Sequence, residues 1–252
     1  MRKTLLTILI LVSFAPTLWA GGGATMMVVG GTAAAGGAAP PSYIVSESFD
    51  GASACGDGSH TNCDNTWTVA GDGTIDFNRT AAPAPLEGTN SLHIEEATTD
   101  TYIYISISAG SDPSAYVLMR PVTLSNVAAK YAIMFTNGAT PLCVMGFNAD
   151  GGDDTATVYA RIGSTSGANA VTTINAGTTY HVWLDYSQTN DTCTLAFSTD
   201  GTKPTSGDNY SQATAAITTD ANLFHLRSDV ADNEFIFDKV RVDNVEISSN
   251  PQ

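Results

Sequence analysis

The sequence predicts an all-β fold: a two-sheet antiparallel β-sandwich of the jelly-roll type. From Ser42 onward, no segment repeats apolar residues at positions i, i+3, i+4 and i+7 over the length of a helix. Short runs rich in Val, Ile, Thr, Tyr and Phe recur instead. The residues between them tolerate positive φ in tight hairpins: Asn137-Gly138, Asp150-Gly151-Gly152, Asn190-Asp191 and Asp200-Gly201.

Length and charge set the broad class. The chain has 252 residues, is 43% hydrophobic and carries a net charge of −15. A chain of this length buries about 70–75% of its unfolded surface, so one large β domain can form its own core. Because basic residues are few, binding to the phosphate backbone of a nucleic acid is not expected.

The N-terminus predicts export. Arg2 and Lys3 precede an apolar run over 5–14, and Ala20 supplies a small residue at a cleavage site. The run is shorter than the roughly 18–20 residues that span a bilayer, so we expect a signal peptide at 1–20 and no transmembrane span in the mature chain. The expected location is secreted, extracellular or at the cell surface, with the periplasm included.

Residues 21–41 are mostly Gly and Ala, with one apolar island at 26–29. Gly-rich chains lose much entropy on ordering, so this composition predicts a flexible tether. The alternative is a donor segment that adds a strand to a neighbour's sheet, which would produce a homo-assembly. The sandwich domain is expected over 42–252.

Eleven strands are predicted in this domain: 42–49, 90–95, 101–108, 115–122, 129–136, 141–148, 155–162, 179–187, 192–198, 222–228 and 234–247. In 179–187, alternation places Val182 and Leu184 on the face opposite Trp183. The same alternation places Cys143 and Cys193 in rows that face the core.

Four cysteines are consistent with export. Their spacing favours two disulfides, Cys55–Cys63 within one polar loop and Cys143–Cys193 between two hairpins. A four-cysteine zinc site is the alternative, but the chain contains no CxxC pair.

Three groups of short phrases carry a family resemblance. They are Thr179-Tyr180-His181-Val182-Trp183-Leu184 followed by the Asp200-Gly201 turn, the closing phrase Phe237-Asp238-Lys239-Val240-Arg241-Val242, and an opening set of Glu47-Ser48-Phe49-Asp50, Trp67 and 88–94. They resemble strands of the concanavalin A-like lectin and glucanase superfamily, which includes laminin-G-like and legume-lectin-like jelly rolls. The resemblance covers roughly 42–247. It implies the fold more strongly than an activity.

Catalytic signatures known in that family are absent from the sequence. Its retaining glycosidases carry carboxylates on one strand as Glu-x-Asp-x-Glu, and none of the six glutamates begins such a motif. The Gln-x-His strand of its lyases is also missing. A non-catalytic module is therefore favoured, and an enzyme with an unrecognised site remains an alternative.

Calcium is the expected cofactor. The resemblance implies a structural ion where the opening and closing phrases meet, which carries over to Asp50 and Asp238. Asp50 is one carbon shorter than the glutamate usual there. A second oxygen-rich group at Asn148, Asp150, Asp153 and Asp154 lacks the spacing of an EF-hand loop.

Sugar binding requires exposed aromatic faces with hydrogen-bonding groups beside them. The candidates are Tyr102, Tyr104, Trp67 and Trp183, with Tyr116 and Tyr159 as further aromatics. Tyr102 and Tyr104 share one face of a strand whose other face is Ile103 and Ile105.

Three functional hypotheses follow. The first is a secreted or surface-displayed module that binds a glycan or another surface ligand. The others are an adhesion subunit that assembles through its N-terminal tail, and a glycoside hydrolase or polysaccharide lyase with an unrecognised site.

Overall fold

The computed structural model describes residues 42–80, 85–96, 100–124, 130–149, 154–163, 165–166, 173–229, 233–248 and 251. All regular elements in these residues are β-strands. The signal peptide and tether predicted at 1–20 and 21–41 lie outside the described residues, as does the Asp150-Gly151-Gly152 turn. The described residues include no helix that could span a membrane.

The described strands form two antiparallel sheets of eight strands each. The first sheet consists of β1 (Val45–Glu47), β3 (Thr74–Asp76), β4 (Leu92–Glu95), β6 (Ser114–Thr123), β12 (Tyr180–Ser187), β13 (Thr192–Ser198), β14 (Tyr210–Thr214) and β16 (Glu234–Asp243). The second sheet consists of β2 (Thr68–Ala70), β5 (Thr101–Gly110), β7 (Lys130–Asn137), β8 (Thr140–Ala149), β9 (Thr155–Ile162), β10 (Thr165–Ser166), β11 (Thr173–Asn175) and β15 (Ala221–Ser228).

The strand order interleaves distant parts of the chain. The first sheet runs β14-β13-β12-β6-β16-β4-β3, with β1 also paired to β16. The second runs β10-β9-β8-β7-β15-β5-β2, with β11 also paired to β9. The last two strands, β15 and β16, thus occupy the middle of the two sheets. The predicted two-sheet antiparallel sandwich is confirmed.

One hydrophobic core fills the space between the sheets. Phe147 of β8 lies edge-on to Phe235 of β16, with ring centroids 5.6 Å apart. Cys143 of β8 and Cys193 of β13 are fully buried and form a disulfide that joins the two sheets. The second predicted disulfide, Cys55–Cys63, is also present. Both cysteine pairings are therefore confirmed.

Glu47 anchors the long loop that follows β1. Its fully buried carboxylate accepts hydrogen bonds from the backbone amides of Phe49, Asp64 and Asn65, each at 2.9 Å. The indole Nε1 of Trp67 donates a further bond at 3.0 Å. These bonds fold residues 48–67 back onto the end of the first sheet.

The long strands were predicted to within two residues at each end, except that β16 ends at Asp243 and not at 247. Five short strands were missed. Those are β2, β3, β10, β11 and β14, of two to five residues each. Such segments are too short to show a period-2 alternation, and they form because a neighbouring strand offers a free edge.

Candidate functional site

The outer side of the second sheet carries a patch of aromatic and cationic side chains. Alternation along β5 buries Ile103 in the core and leaves Tyr102 and Tyr104 half-buried on the outer side. Neighbouring strands add further groups. The aromatic face is defined here as Tyr102, Tyr104, Tyr131, Arg161, His225 and Arg227.

Strand pairing assembles this face. Tyr104 of β5 lies opposite His225 of β15, and Tyr102 lies opposite Arg227. On the other side of β15, β7 contributes Tyr131, and Arg161 comes from β9, two strands further on. The sequence identified the two tyrosines of β5, but it gave no sign that distant strands complete the patch.

His225 lies against both tyrosines of β5. Its ring centroid is 5.2 Å from that of Tyr104, in a stacked arrangement, and 5.7 Å from that of Tyr102. Its Nε2 lies 3.0 Å from the Thr136 hydroxyl, which itself donates to the Gly138 carbonyl at 2.8 Å. A hydroxyl has one proton to donate, and Thr136 donates its proton to Gly138. In the hydrogen bond between His225 and Thr136, the proton must therefore be on Nε2 of His225.

The tautomer leaves Nδ1 of His225 as a hydrogen-bond acceptor, and within the described residues this buried atom has no partner. Burial and, secondly, the positive charge of Arg227 lower the pKa of His225 to about 4. The imidazole is therefore neutral at physiological pH, and the lone pair of its Nδ1 is shielded from solvent.

The arginines pack over the rings of the face. The guanidinium of Arg227 lies 5.4 Å from the ring centroid of Tyr102 and 5.8 Å from that of Tyr131. Arg161 lies 5.4 Å from the Tyr131 ring and donates to its hydroxyl at 2.6 Å. Arg227 also pairs with two carboxylates, those of Asp100 and Asp229. These contacts hold the rings in place, and the carboxylates offset the charge of Arg227.

Both candidate tryptophans are buried. Trp67 is 2% exposed because its indole bonds to Glu47 and its ring packs beside Phe49. Trp183 does lie on the outer side of β12, as alternation predicted, but Ile247 and other residues cover that side and bury it fully. Neither ring has an exposed surface on which a sugar could stack. Tyr116 and Tyr159 are also buried.

Asp50 and Asp238, the predicted calcium ligands, line one pocket of about 300 Å³. Asp50 accepts hydrogen bonds from the backbone amides of Thr89 and Asn90, both at 2.9 Å. The residue before it, Phe49, has a φ of 56°, a strained value for a bulky residue.

Asp238 is buried at the other wall of this pocket. It accepts hydrogen bonds from the amides of Glu87 and Lys239 and from the Ser91 hydroxyl, at 2.7–2.9 Å. Burial raises its pKa to about 7, and the charge of Asp50 adds to this effect. The two residues that the resemblance singled out, 188 positions apart in the sequence, therefore line the same pocket.

Neither oxygen-rich group forms a cation cage by itself. Among the described residues, no cluster of three or more His, Cys, Asp or Glu side chains is arranged to hold a metal. Of the second predicted group, Asn148 is exposed on β8 and Asp154 has a φ of 69° in a turn. Asp150 and Asp153 lie outside the described residues.

Comparison with solved structures identifies similar folds. A sialidase matches with a TM-score of 0.52 and 14% identity, over 80% of this chain and 18% of its own. A cellulose induced protein, Cip1, matches with a TM-score of 0.57 and 12% identity, over 81% of this chain and 99% of its own. The similarity establishes the fold. Carbohydrate-binding module CBM66 from Bacillus subtilis also matches, with a TM-score of 0.41 and 15% identity, over 70% of this chain and 94% of its own.

No family model and no curated protein matches this chain. The chain spans less than a fifth of the length of the sialidase that it resembles. At 14% and 12% identity, the likeness to the sialidase and to Cip1 extends to the fold alone.

Proposed function

We propose that this protein is a non-catalytic module that binds neutral glycans on the aromatic face. One observation carries the proposal: two half-buried tyrosines stand side by side on the outer side of β5, with ring centroids 6.1 Å apart, and both pack on a neutral histidine. The C–H face of a pyranose packs on an aromatic ring, while its hydroxyls need directed partners. Tyr102 and Tyr104 supply the rings, and their phenolic hydroxyls supply hydrogen-bonding groups beside them.

The names of proteins with similar folds support a carbohydrate ligand. One similar structure is named as a cellulose induced protein and another as a sialidase, so this fold occurs in proteins whose names refer to carbohydrates.

The charge of the protein favours a neutral glycan over an anionic one. The whole chain has a net charge of −15, and Arg227 is already paired with carboxylates. An anionic polymer would be repelled by the molecule as a whole.

A glycan array followed by calorimetry tests the proposal. The wild-type protein should retain at least one neutral polysaccharide, and the Tyr102→Ala/Tyr104→Ala variant should bind it about tenfold or more weakly. Tyr43→Ala is the matched control, because Tyr43 is a half-buried tyrosine packed against a cluster on the first sheet. Equal binding by the wild type and the double variant would refute the role of the face. Silence across the array would refute glycan binding.

We also propose that a structural Ca²⁺ binds in the pocket of Asp50 and Asp238. The raised pKa of Asp238 supports this, because a buried carboxylate beside a second negative charge is relieved by a cation. The fit is partial: both carboxylates already accept amide hydrogen bonds, and Glu87 is bound by Lys239 at 2.9 Å. Calcium would therefore add oxygen ligands from Ser48 or from water.

Melting temperatures test the calcium proposal. Millimolar Ca²⁺ should raise the melting temperature of the wild-type protein relative to chelator, and Asp50→Ala should abolish the difference. Asp200→Ala is the control, because Asp200 is an exposed turn aspartate. The idea fails if calcium leaves the wild-type melting temperature unchanged.

Export also remains a proposal. Two disulfides are typical of an oxidising compartment, and they support a secreted or surface location. Mass spectrometry of protein recovered outside the cytoplasm should find a chain that begins at Gly21. A retained Met1 in exported protein would contradict cleavage after Ala20.

A further inference from the structure

A second cleft, of about 530 Å³, opens on the first sheet. Its walls come from β12, β13 and β14, from the turn over 189–190, and from the segment 244–246 that follows β16. The aromatic face belongs to the other sheet. The name polar cleft is used below for the site lined by Thr192, Thr194, Lys203, Thr205, Tyr210 and Val245.

A buried lysine and its two carboxylate partners hold the polar cleft in shape. Lys203, whose side chain is 4% exposed, lies 2.8 Å from the Asp185 carboxylate and 2.9 Å from that of Glu246. Its Nζ also donates to the Ile247 carbonyl at 3.1 Å. The ammonium thus fixes the segment after β16 against β12, and the wall of the cleft is ordered before any ligand arrives.

The charged groups of the cleft are already occupied. Asp185 accepts from the Ser114 hydroxyl in addition to Lys203. Asp112, a third carboxylate in the lining, accepts from the hydroxyls of Ser187 and Thr189 at 2.6 and 2.8 Å. Three carboxylates against one ammonium make the cleft unattractive to an anion. Each of these carboxylates already pairs with Lys203 or accepts hydrogen bonds from hydroxyls of the protein, so the cleft is not arranged to bind a metal ion.

The remaining polar side chains of the cleft are neutral: they are hydroxyls and the amides of Asn190 and Asn244. The side chains of Thr192, Thr194, Thr205 and Tyr210 make no hydrogen bond within the described part of the chain. Apolar surface lies beside them, because Val245 is 64% exposed and Tyr210 is half-buried against the cluster of Trp183. An aromatic ring, an exposed apolar side chain and several free hydroxyls form the combination that a sugar requires.

We propose that the polar cleft is a saccharide site in its own right, specific for neutral sugars. This assignment does not depend on ligand binding at the aromatic face. Two sites on opposite sheets of one rigid domain would let a single molecule bridge two polymer chains, or bind one surface with avidity.

Amide chemical-shift mapping with cellohexaose and xylohexaose tests the assignment. Saturable shifts are expected at the amides of Thr194, Thr205 and Val245 with at least one of these probes. The Tyr210→Ala and Thr194→Val variants should weaken binding at these amides about tenfold. The Tyr102→Ala/Tyr104→Ala variant is the matched control, and it should retain the shifts of the cleft.

The outcomes separate the two sites. The polar cleft is refuted if its amides do not move with either probe, or if Thr194→Val and Tyr210→Ala both retain the wild-type response. If the cleft responds while the amides around His225 do not, the second site stands and the proposed role of the aromatic face fails. The spectra of each variant also report whether it is folded.

Discussion

His225 illustrates how a single residue couples the stability of the domain to pH. Its folded pKa of about 4 lies below the unfolded value of roughly 6.5. Between these values the unfolded chain binds a proton that the folded protein does not, so stability is lost as pH falls through this window.

We expect the free energy of unfolding of the wild type to fall more steeply between pH 6.5 and pH 4 than that of His225→Gln. The extra loss should be up to about 3 kcal/mol. Urea denaturation at both pH values measures it, and the carboxylates that titrate in both proteins cancel in the comparison. Parallel pH profiles for the two proteins would show that His225 is not held neutral by the fold.

Glu47 is the residue on which the opening loop depends. In Glu47→Gln, an NH₂ group replaces an oxygen that accepts from backbone amides, so two donors face each other in a buried site. We expect a loss of about 3 kcal/mol in unfolding free energy. Glu95→Gln, at an exposed position of β4, should change stability little. Equal effects of the two substitutions would contradict the anchoring role.

Among the elements, the two disulfides should differ in their contribution to stability. Cys143–Cys193 closes a loop of 50 residues and joins the sheets, whereas Cys55–Cys63 closes only 8. Chain entropy predicts a loss of about 4 kcal/mol for Cys143→Ala/Cys193→Ala and about 2.5 kcal/mol for Cys55→Ala/Cys63→Ala. Denaturant unfolding of both double variants measures these losses. The reverse ranking would mean that local strain or packing outweighs loop closure.

The pattern of individual strands was predictable, but their arrangement was not. Alternation identified the core side of β5, β8, β12 and β13, because one side of each strand is buried. Placement of β15 between β5 and β7 depends on pairings more than 80 residues apart, for which a single sequence carries no local signal. Tyr102 and Tyr104 were therefore foreseen, whereas Tyr131, the histidine and the arginines of the face were not.

Trp67 and Trp183 show the same limit. Alternation predicts which side of a strand a residue occupies, but it does not predict what covers that side. For Trp183 the cover is Ile247, which lies 64 residues further along the chain. For Trp67 it is the loop held by Glu47. Burial of an aromatic residue on an outer side depends on the path of distant loops.

For the whole molecule, the first question is whether the N-terminal tail takes part in folding or assembly. All described strands lie within residues 45–243, and the antiparallel pairs within that range account for both sheets. A chain truncated to residues 42–252 should therefore keep the melting temperature and the glycan affinity of the mature protein. It should also be monomeric in analytical ultracentrifugation, as expected if the tail is only a tether.

If the mature protein is oligomeric and truncation dissociates it, the tail is a docking strand and the adhesion-subunit hypothesis is supported. Loss of glycan binding without dissociation would instead assign the tail to the binding site.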